Sequence, residues 1–201
     1  MKINGISISE GNMKLGNIAN VSLAPGRSCS AEACKTCMHE GCYAMKAYRM
    51  YKTTRAAWDG NTDAAESDLQ RMEDALNQYF SGMNAPRFFR IHVGGDFISR
   101  EYTEMWARVA ASHPQTNFLA FTKQWDHVRG VTFPANFSLV LSAWPGCAIP
   151  DDLRKLYSVA WLDDGKTEIP GNALECPGNC ITCGACWGLS RMGIDVKFLK
   201  H

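Results

Sequence analysis

Nine cysteines in 201 residues, most of them gathered into two short runs, constrain this chain more than any other feature of its sequence. Cys29, Cys34, Cys37 and Cys42 form the first run, with the spacing Cys-x4-Cys-x2-Cys-x4-Cys. Cys176, Cys180, Cys183 and Cys186 form the second, Cys-x3-Cys-x2-Cys-x2-Cys, and Cys147 stands alone. A chain of this length buries a core without covalent staples. Disulfide frameworks tie distant segments together, and an odd count suits them poorly. Two tight runs suit one thiolate-bound centre each. Thiolates favour zinc or iron–sulfur clusters. Structural zinc sites usually join two separated pairs, whereas these ligands crowd into single loops. Iron–sulfur is therefore the leading expectation, as one or two 4Fe–4S clusters, with zinc as the alternative for either run. A single cluster ligated from both loops stays open. Cys147 reads as a buried free thiol.

The rest of the composition is ordinary. Hydrophobic residues make up 46% and charged residues 20%, which argues against disorder. Lys and Arg number 21 against 20 Asp and Glu, a net charge of +1. That balance excludes strong non-specific attraction to nucleic acid or an anionic membrane, though not a local basic patch. The opening MKINGISISEGNMKLG lacks the apolar core of a secretory signal. The longest uncharged stretch, Val131 to Pro150, is interrupted by Pro134 and Pro145 and is no membrane span. The expected compartment is cytoplasmic, and the expected organisation is a single domain over 1–201 with a cysteine-rich loop at 163–194.

Periodicity predicts alternating strands and helices. Asn20–Leu23 is a short strand, and Tyr43–Trp58 is helix-permissive until Asp59-Gly60-Asn61 breaks it. A stronger helix runs from Asp63, in a capping box with Glu66, to Phe80. Strands follow at Arg87–Val93, Asn117–Thr122, Phe137–Ser142, Tyr157–Leu162 and Asp195–Leu199. Between the first two, Ser99 caps a helix that His113-Pro114 stops. Trp125–Arg129 and Asp151–Leu156 are short turns. This alternation implies an α/β fold with a parallel sheet. The units are too few for an eight-fold barrel, which leaves a partial (βα) barrel or an open parallel sheet with cysteine-rich loops. His92, Asp96, Thr122, Lys123, Ser142 and Asp163 fall near carboxyl ends of strands, where such folds place their sites. Capping or turn chemistry is the plain alternative for each. Trp106, Trp125, Trp144 and Trp187 read as packing residues.

A cysteine loop after the first strand and Gly94-Gly95-Asp96 after the second resemble the radical S-adenosylmethionine fold. The resemblance implies a 4Fe–4S cluster with one open iron on Cys29, Cys37 and Cys42, with Cys34 as fourth ligand or spare. It also implies that Gly94, Gly95 and Asp96 receive S-adenosylmethionine for redox or radical chemistry. The spacing departs from the Cys-x3-Cys-x2-Cys of those enzymes. Gly41 precedes Cys42 and the aromatic Tyr43 follows it, whereas those enzymes carry the aromatic just before the last cysteine. A fuller resemblance is to the gene-eighty-eight protein family of phages and mobile elements. It is carried by Gly11–Gly16, Cys29, Cys42-Tyr43-Ala44, Arg90–Phe97, Phe121–Trp125 and Cys183-Gly184-Ala185-Cys186-Trp187. For a phage-encoded chain the compartment is the host cytoplasm. Two other readings stay open. One is an electron-transfer protein with closed clusters and a redox partner. The other is a zinc-stabilised module for nucleic acid or protein, to which Lys46, Arg49, Lys52 and Arg55 would lend a basic stripe on one helical side.

Overall fold

The computed structural model describes residues 1–12, 15–37 and 42–199. A small hairpin opens it, β1 (Lys2–Ile3) and β2 (Ile6–Ser7), turned through Asn4 and Gly5 at positive φ. The main sheet comprises β3 (Ala19–Val21), β4 (Phe88–Ile91), β5 (Asn117–Thr122), β6 (Phe137–Ala143), β7 (Ser158–Asp163), β8 (Leu174–Glu175) and β9 (Val196–Leu199). Its order is β3-β4-β5-β6-β7-β9-β8, and every pairing is parallel. The sheet is open, with β3 and β8 as its edges. β9 does not close a barrel; it slots between β7 and β8.

The helices are α1 (Ala31–Cys37), α2 (Tyr43–Met50), α3 (Lys52–Ser67), α4 (Leu69–Phe80), α5 (Arg100–Ser112), α6 (Trp125–Val128), α7 (Asp151–Arg154), α8 (Cys180–Cys183) and α9 (Leu189–Met192). A single 3-10 turn, Ala185–Gly188, joins the last two.

Side chains alternate across each strand, so a parallel sheet must be covered on both faces. One face presents Val21, Phe89, Ile91, Phe118, Leu139 and Val159 to Met72, Leu76, Phe80, Tyr102, Met105 and Trp106 of α4 and α5. The other presents Leu119, Val140, Ala160 and Val196 to Leu15, Ile18, Trp187 and Leu189. The C-terminal segment is pinned onto this second face by polar bonds. Trp187 Nε1 donates to Phe89 O at 3.1 Å, Ser138 Oγ to Cys186 O at 2.9 Å, and Ser158 Oγ to Leu189 O at 3.1 Å. Buried Asp195 latches the entry to β9, accepting from Val159 N, Trp161 Nε1 and Arg154 Nη2 at 2.7–2.8 Å.

Several helical expectations need correction. α3 runs straight through Asp59-Gly60-Asn61, and the breaks fall instead at Tyr51 and Asp68. Asp68, not Asp63, caps α4 by accepting from Arg71 N at 3.2 Å. Asp63 and Glu66 both pair with Arg27, tying the first cysteine loop to α3. The basic stripe is not one helical side. Lys46 and Arg49 belong to α2 and Lys52 and Arg55 to α3, and the Arg55 guanidinium folds back onto the Tyr48 and Arg49 carbonyls. The strand predicted over Arg87–Val93 is shorter, because His92 turns into the left-handed region at φ 61.

Candidate metal centre

After β3 the chain turns through Ala24-Pro25-Gly26, held by Ala24 N donating to Thr62 Oγ1 at 2.8 Å. The Gly26 peptide then gathers two cysteines. Its N–H donates to Cys29 Sγ at 3.5 Å, and its carbonyl accepts from Cys34 Sγ at 3.7 Å. Cys34 and Cys37 ride on α1, and Cys42 is the N-cap residue of α2. The first-turn N–H groups of Ala44 and Met45 face the Cys42 sulfur without closing a capping hydrogen bond.

The four cysteines of the first run are free thiols and form one electrostatic locus. Burial pushes Cys29 up to about 11. Cys34 is also raised, mainly by burial, while the nearby Cys29 thiol opposes the shift. Cys37 donates to Cys42, which raises Cys37 and holds Cys42 below the usual thiol range; the Lys123 ammonium favours the thiolate at both. The run is thus two thiol pairs, and the Cys37–Cys42 pair faces the Lys123 cation. Among the described residues, no three Cys, His, Asp or Glu side chains are arranged to hold a single metal ion. The donor set itself, all sulfur, fits iron–sulfur or zinc chemistry.

The end of β4 packs directly onto this loop. Leu23 N donates to Gly94 O at 2.9 Å, and Ser22 Oγ accepts from Val93 N and Gly94 N at 3.0 and 3.2 Å. A Cβ on Gly94 would lie 2.6 Å from the Trp58 ring. On Gly95, at φ 83, it would meet the Ser28 hydroxyl and Leu23. Close approach therefore requires both glycines. Asp96 is 6% exposed, and its carboxylate accepts from Thr122 Oγ1 at 2.7 Å and from Phe97 N and Lys123 N at 2.8 Å. Burial lifts this carboxyl above its usual range, and those donors oppose the shift. Ser99, not Asp96, caps α5. His92 turns away from the cysteines to lie against Phe97 and Tyr102, with Nε2 2.9 Å from the Tyr102 hydroxyl. Burial holds its imidazole down to about 3, with the Arg90 charge adding to the effect.

The second run lies across the other face of the sheet. Cys176 N donates to Lys197 O at 2.9 Å beside β9. Asn179 caps α8, which carries Cys180 and Cys183, and Gly184 ends that helix in the left-handed region at φ 61. Cys176, Cys180 and Cys186 pack against the second core patch, whereas Cys183 is exposed. Burial pushes Cys186 up to about 12, and Arg90 opposes that shift.

The Gene product 88 family model matches residues 4–188. The chain belongs to the Gene product 88 family. Relatives include the Gene 88 protein of Mycobacterium phage L5, 28% identical over 210 residues covering 88% of this chain and 85% of that one. The Gene 88 protein of Mycobacterium phage D29 is 26% identical over 211 residues, with the same coverage. No solved structure matches the chain. Among the described residues no helix is long and apolar enough to cross a membrane.

In this Gene product 88 member the segments that carry the family resemblance converge. Tyr43 hydroxyl donates to Val93 O at 2.6 Å, joining Cys42-Tyr43-Ala44 to Arg90–Phe97. Thr122 and Lys123 bind Asp96, and Gln124 Nε2 donates to Ser28 O at 3.2 Å, joining Phe121–Trp125 to the first loop. Trp187 ties the second run to β4. In the Gly11–Gly16 segment, Gly16 N donates to Asn12 O at 2.7 Å and a Cβ on Gly16 would touch Ile181 of α8 at 3.0 Å. Met13 and Lys14 of that segment, and Gly41 before Cys42, lie outside the described residues.

Of the other strand-end candidates, Ser142 lies in β6 and Asp163 at the end of β7. Asp163 closes a turn by accepting from Gly165 N at 3.2 Å. Cys147 is buried and lines a cavity of about 500 Å³ with Trp144, Trp161 and Arg154 at the ends of β6 and β7. Arg90 and Tyr43 stand in the sequence as parts of the resemblance segments, with no role assigned to either. The available signal was Arg90 at the centre of an otherwise apolar strand.

Proposed function

We propose that the chain is a cysteine-ligated iron–sulfur protein. One observation carries this reading: Cys29, Cys34, Cys37 and Cys42 gather as two thiol pairs at the carboxyl ends of β3 and β4, beside the Gly94-Gly95 turn. Loops at this end of a parallel sheet are where α/β folds carry their chemistry. Two pairs around one locus suit a cluster spread over several irons. Cys29, Cys34, Cys37 and Cys42 would hold one 4Fe–4S cluster, and Cys176, Cys180, Cys183 and Cys186 a second.

Bound there, such clusters supply one-electron redox chemistry, and the implied partner is an electron donor or acceptor. The chain's own groups position and tune: Gly26 sets two thiols, Lys123 offers positive charge, and Asp96 locks β5 to the Gly-Gly turn. Asp96 already serves three donors at 6% exposure, which favours a closed electron-transfer centre over S-adenosylmethionine at Gly94, Gly95 and Asp96. Electron paramagnetic resonance of the anaerobically reduced protein tests this. A cluster spectrum unchanged by S-adenosylmethionine is expected. A spectrum altered by it would move the reading to an open-iron, radical-type enzyme.

A further inference from the structure

The crossover from β6 to β7 is thin. Parallel neighbours are usually joined through a helix that covers the sheet. Here α7 has four residues, against thirteen in α5. So short an element leaves part of the sheet face uncovered. The cavity of about 500 Å³ lies at this gap, where β6 and β7 end. Ala143 and Trp161 both line it, are partners in the β6–β7 register, and pack on the helix-covered core.

Its walls are fixed in place. Trp144-Pro145-Gly146-Cys147 is a tight turn, with Cys147 N donating to Trp144 O at 2.8 Å and Gly146 at φ 82. Proline in the second position and glycine in the third suit such a turn. On the β7 side, buried Asp195 accepts from Trp161 Nε1 at 2.8 Å and from Arg154 Nη2 at 2.7 Å. One carboxylate thus holds both an indole and a guanidinium of the lining. The Arg154 guanidinium lies 5.8 Å from the Trp161 ring centroid, and Lys123 Nζ lies 5.4 Å from that of Trp144.

This lining has a defined chemistry. Two indoles with Pro145, Ile149 and Leu162 suit a flat, apolar body. Beyond Nη2, the Arg154 guanidinium carries no hydrogen bond among the described residues. Its planar fork matches a carboxylate. The neighbouring acids do not occupy it: Asp163 accepts from Gly165 N, and Asp164 from Lys166 N and Thr167 N. Trp144 Nε1 is buried with no acceptor among the described residues, a donor that native interiors rarely leave unspent.

We propose that this cavity binds a small aromatic carboxylate, with its ring against Trp144 and Trp161 and its carboxylate on Arg154. The cysteines of the two runs lie outside the lining, so the proposal does not rest on the iron–sulfur reading.

Equilibrium dialysis of the intact chain against naphthoate tests it. Naphthamide lacks the charge, and cyclohexanecarboxylate lacks the flat ring. Naphthoate should bind saturably, and each of the others about 10-fold more weakly, the factor one hydrogen bond to a charged group supplies. Ala148 lines the cavity from an exposed position, so Ala148→Trp should fill it and abolish naphthoate binding without lowering the unfolding midpoint. Arg154→Lys keeps a cation beside Asp195 but loses the fork. It should weaken naphthoate about 10-fold and leave naphthamide unchanged. No saturable naphthoate binding, equal affinity for naphthoate and naphthamide, or equal binding by wild type and Ala148→Trp would overturn the proposal. Should Arg154→Lys unfold early, the naphthamide and Ala148→Trp comparisons decide. A chain without iron that binds naphthoate in this pattern would uphold the proposal while the cluster reading fails.

Discussion

His92 adopts φ 61, a conformation uncommon outside glycine, and the surroundings hold it there. Its N–H donates to Val21 O at 2.9 Å while its ring bonds to Tyr102 at 2.9 Å. This turn ends β4 and brings Gly94 and Gly95 onto the first cysteine loop. It also seals a titratable ring inside the core. In the unfolded chain the imidazole takes up a proton below about 6.5. In the fold it remains neutral until about 3. The unfolded state therefore binds more protons across that window. The stability tied to the neutral ring is complete above about 6.5 and falls as the pH drops toward 3. The slope approaches roughly 1.4 kcal/mol per pH unit. His92→Asn tolerates the left-handed backbone and cannot titrate. Urea unfolding between about pH 7 and about pH 5 should show a shallower loss of stability for His92→Asn than for wild type. Equal slopes would mean that His92 is not the sensing group.

At the scale of elements, α3 is instructive because its middle carries Asp59-Gly60-Asn61, a helix-breaking signature. A Cβ on Gly60 would meet nothing within 4 Å beyond its own helix, so no close approach there demands glycine. Asn61 is 1% exposed, and its amide donates to Ser7 O at 2.9 Å and Ser22 O at 3.1 Å while its carbonyl accepts from Ser7 N at 2.7 Å. One side chain thus docks both β2 and the end of β3 onto the helix, and tertiary contacts override the local propensity. Asn61→Ala leaves those buried backbone groups unsatisfied. It should cost about 1–3 kcal/mol in urea unfolding, with early amide exchange at Ser7. A loss within experimental error would remove Asn61 from this role. Longer alternating strands were legible: β5 spans Asn117–Thr122 as its pattern predicts. β1, β2 and β8 have two residues each and carry no readable period. The cysteine runs were legible because ligand spacing is local. Asp96 was not, because its role as a clamp depends on Thr122 and Lys123, brought alongside by the β4–β5 pairing. Arg90 was hidden for the same reason: the Phe121 ring it lies over is brought alongside by the β4–β5 pairing.

The whole molecule is an open parallel sheet dressed differently on its two faces. Helices cover one, and a cysteine-bearing C-terminal segment covers the other. β4 serves both thiol groups. Its end packs on the first loop, and its Phe89 carbonyl accepts from Trp187 of the C-terminal segment. A net charge of +1 conceals a local positive site, Lys123, beside the Cys37 and Cys42 thiols. The proposed function requires that these cysteines hold iron and sulfide. The most direct measurement is iron, acid-labile sulfide and zinc per chain after isolation without oxygen. Iron and sulfide in equal molar amounts, lowered by Cys29→Ser and by Cys180→Ser, are predicted. Stoichiometric zinc without iron, or a chain free of both metals, would rule out an iron–sulfur protein.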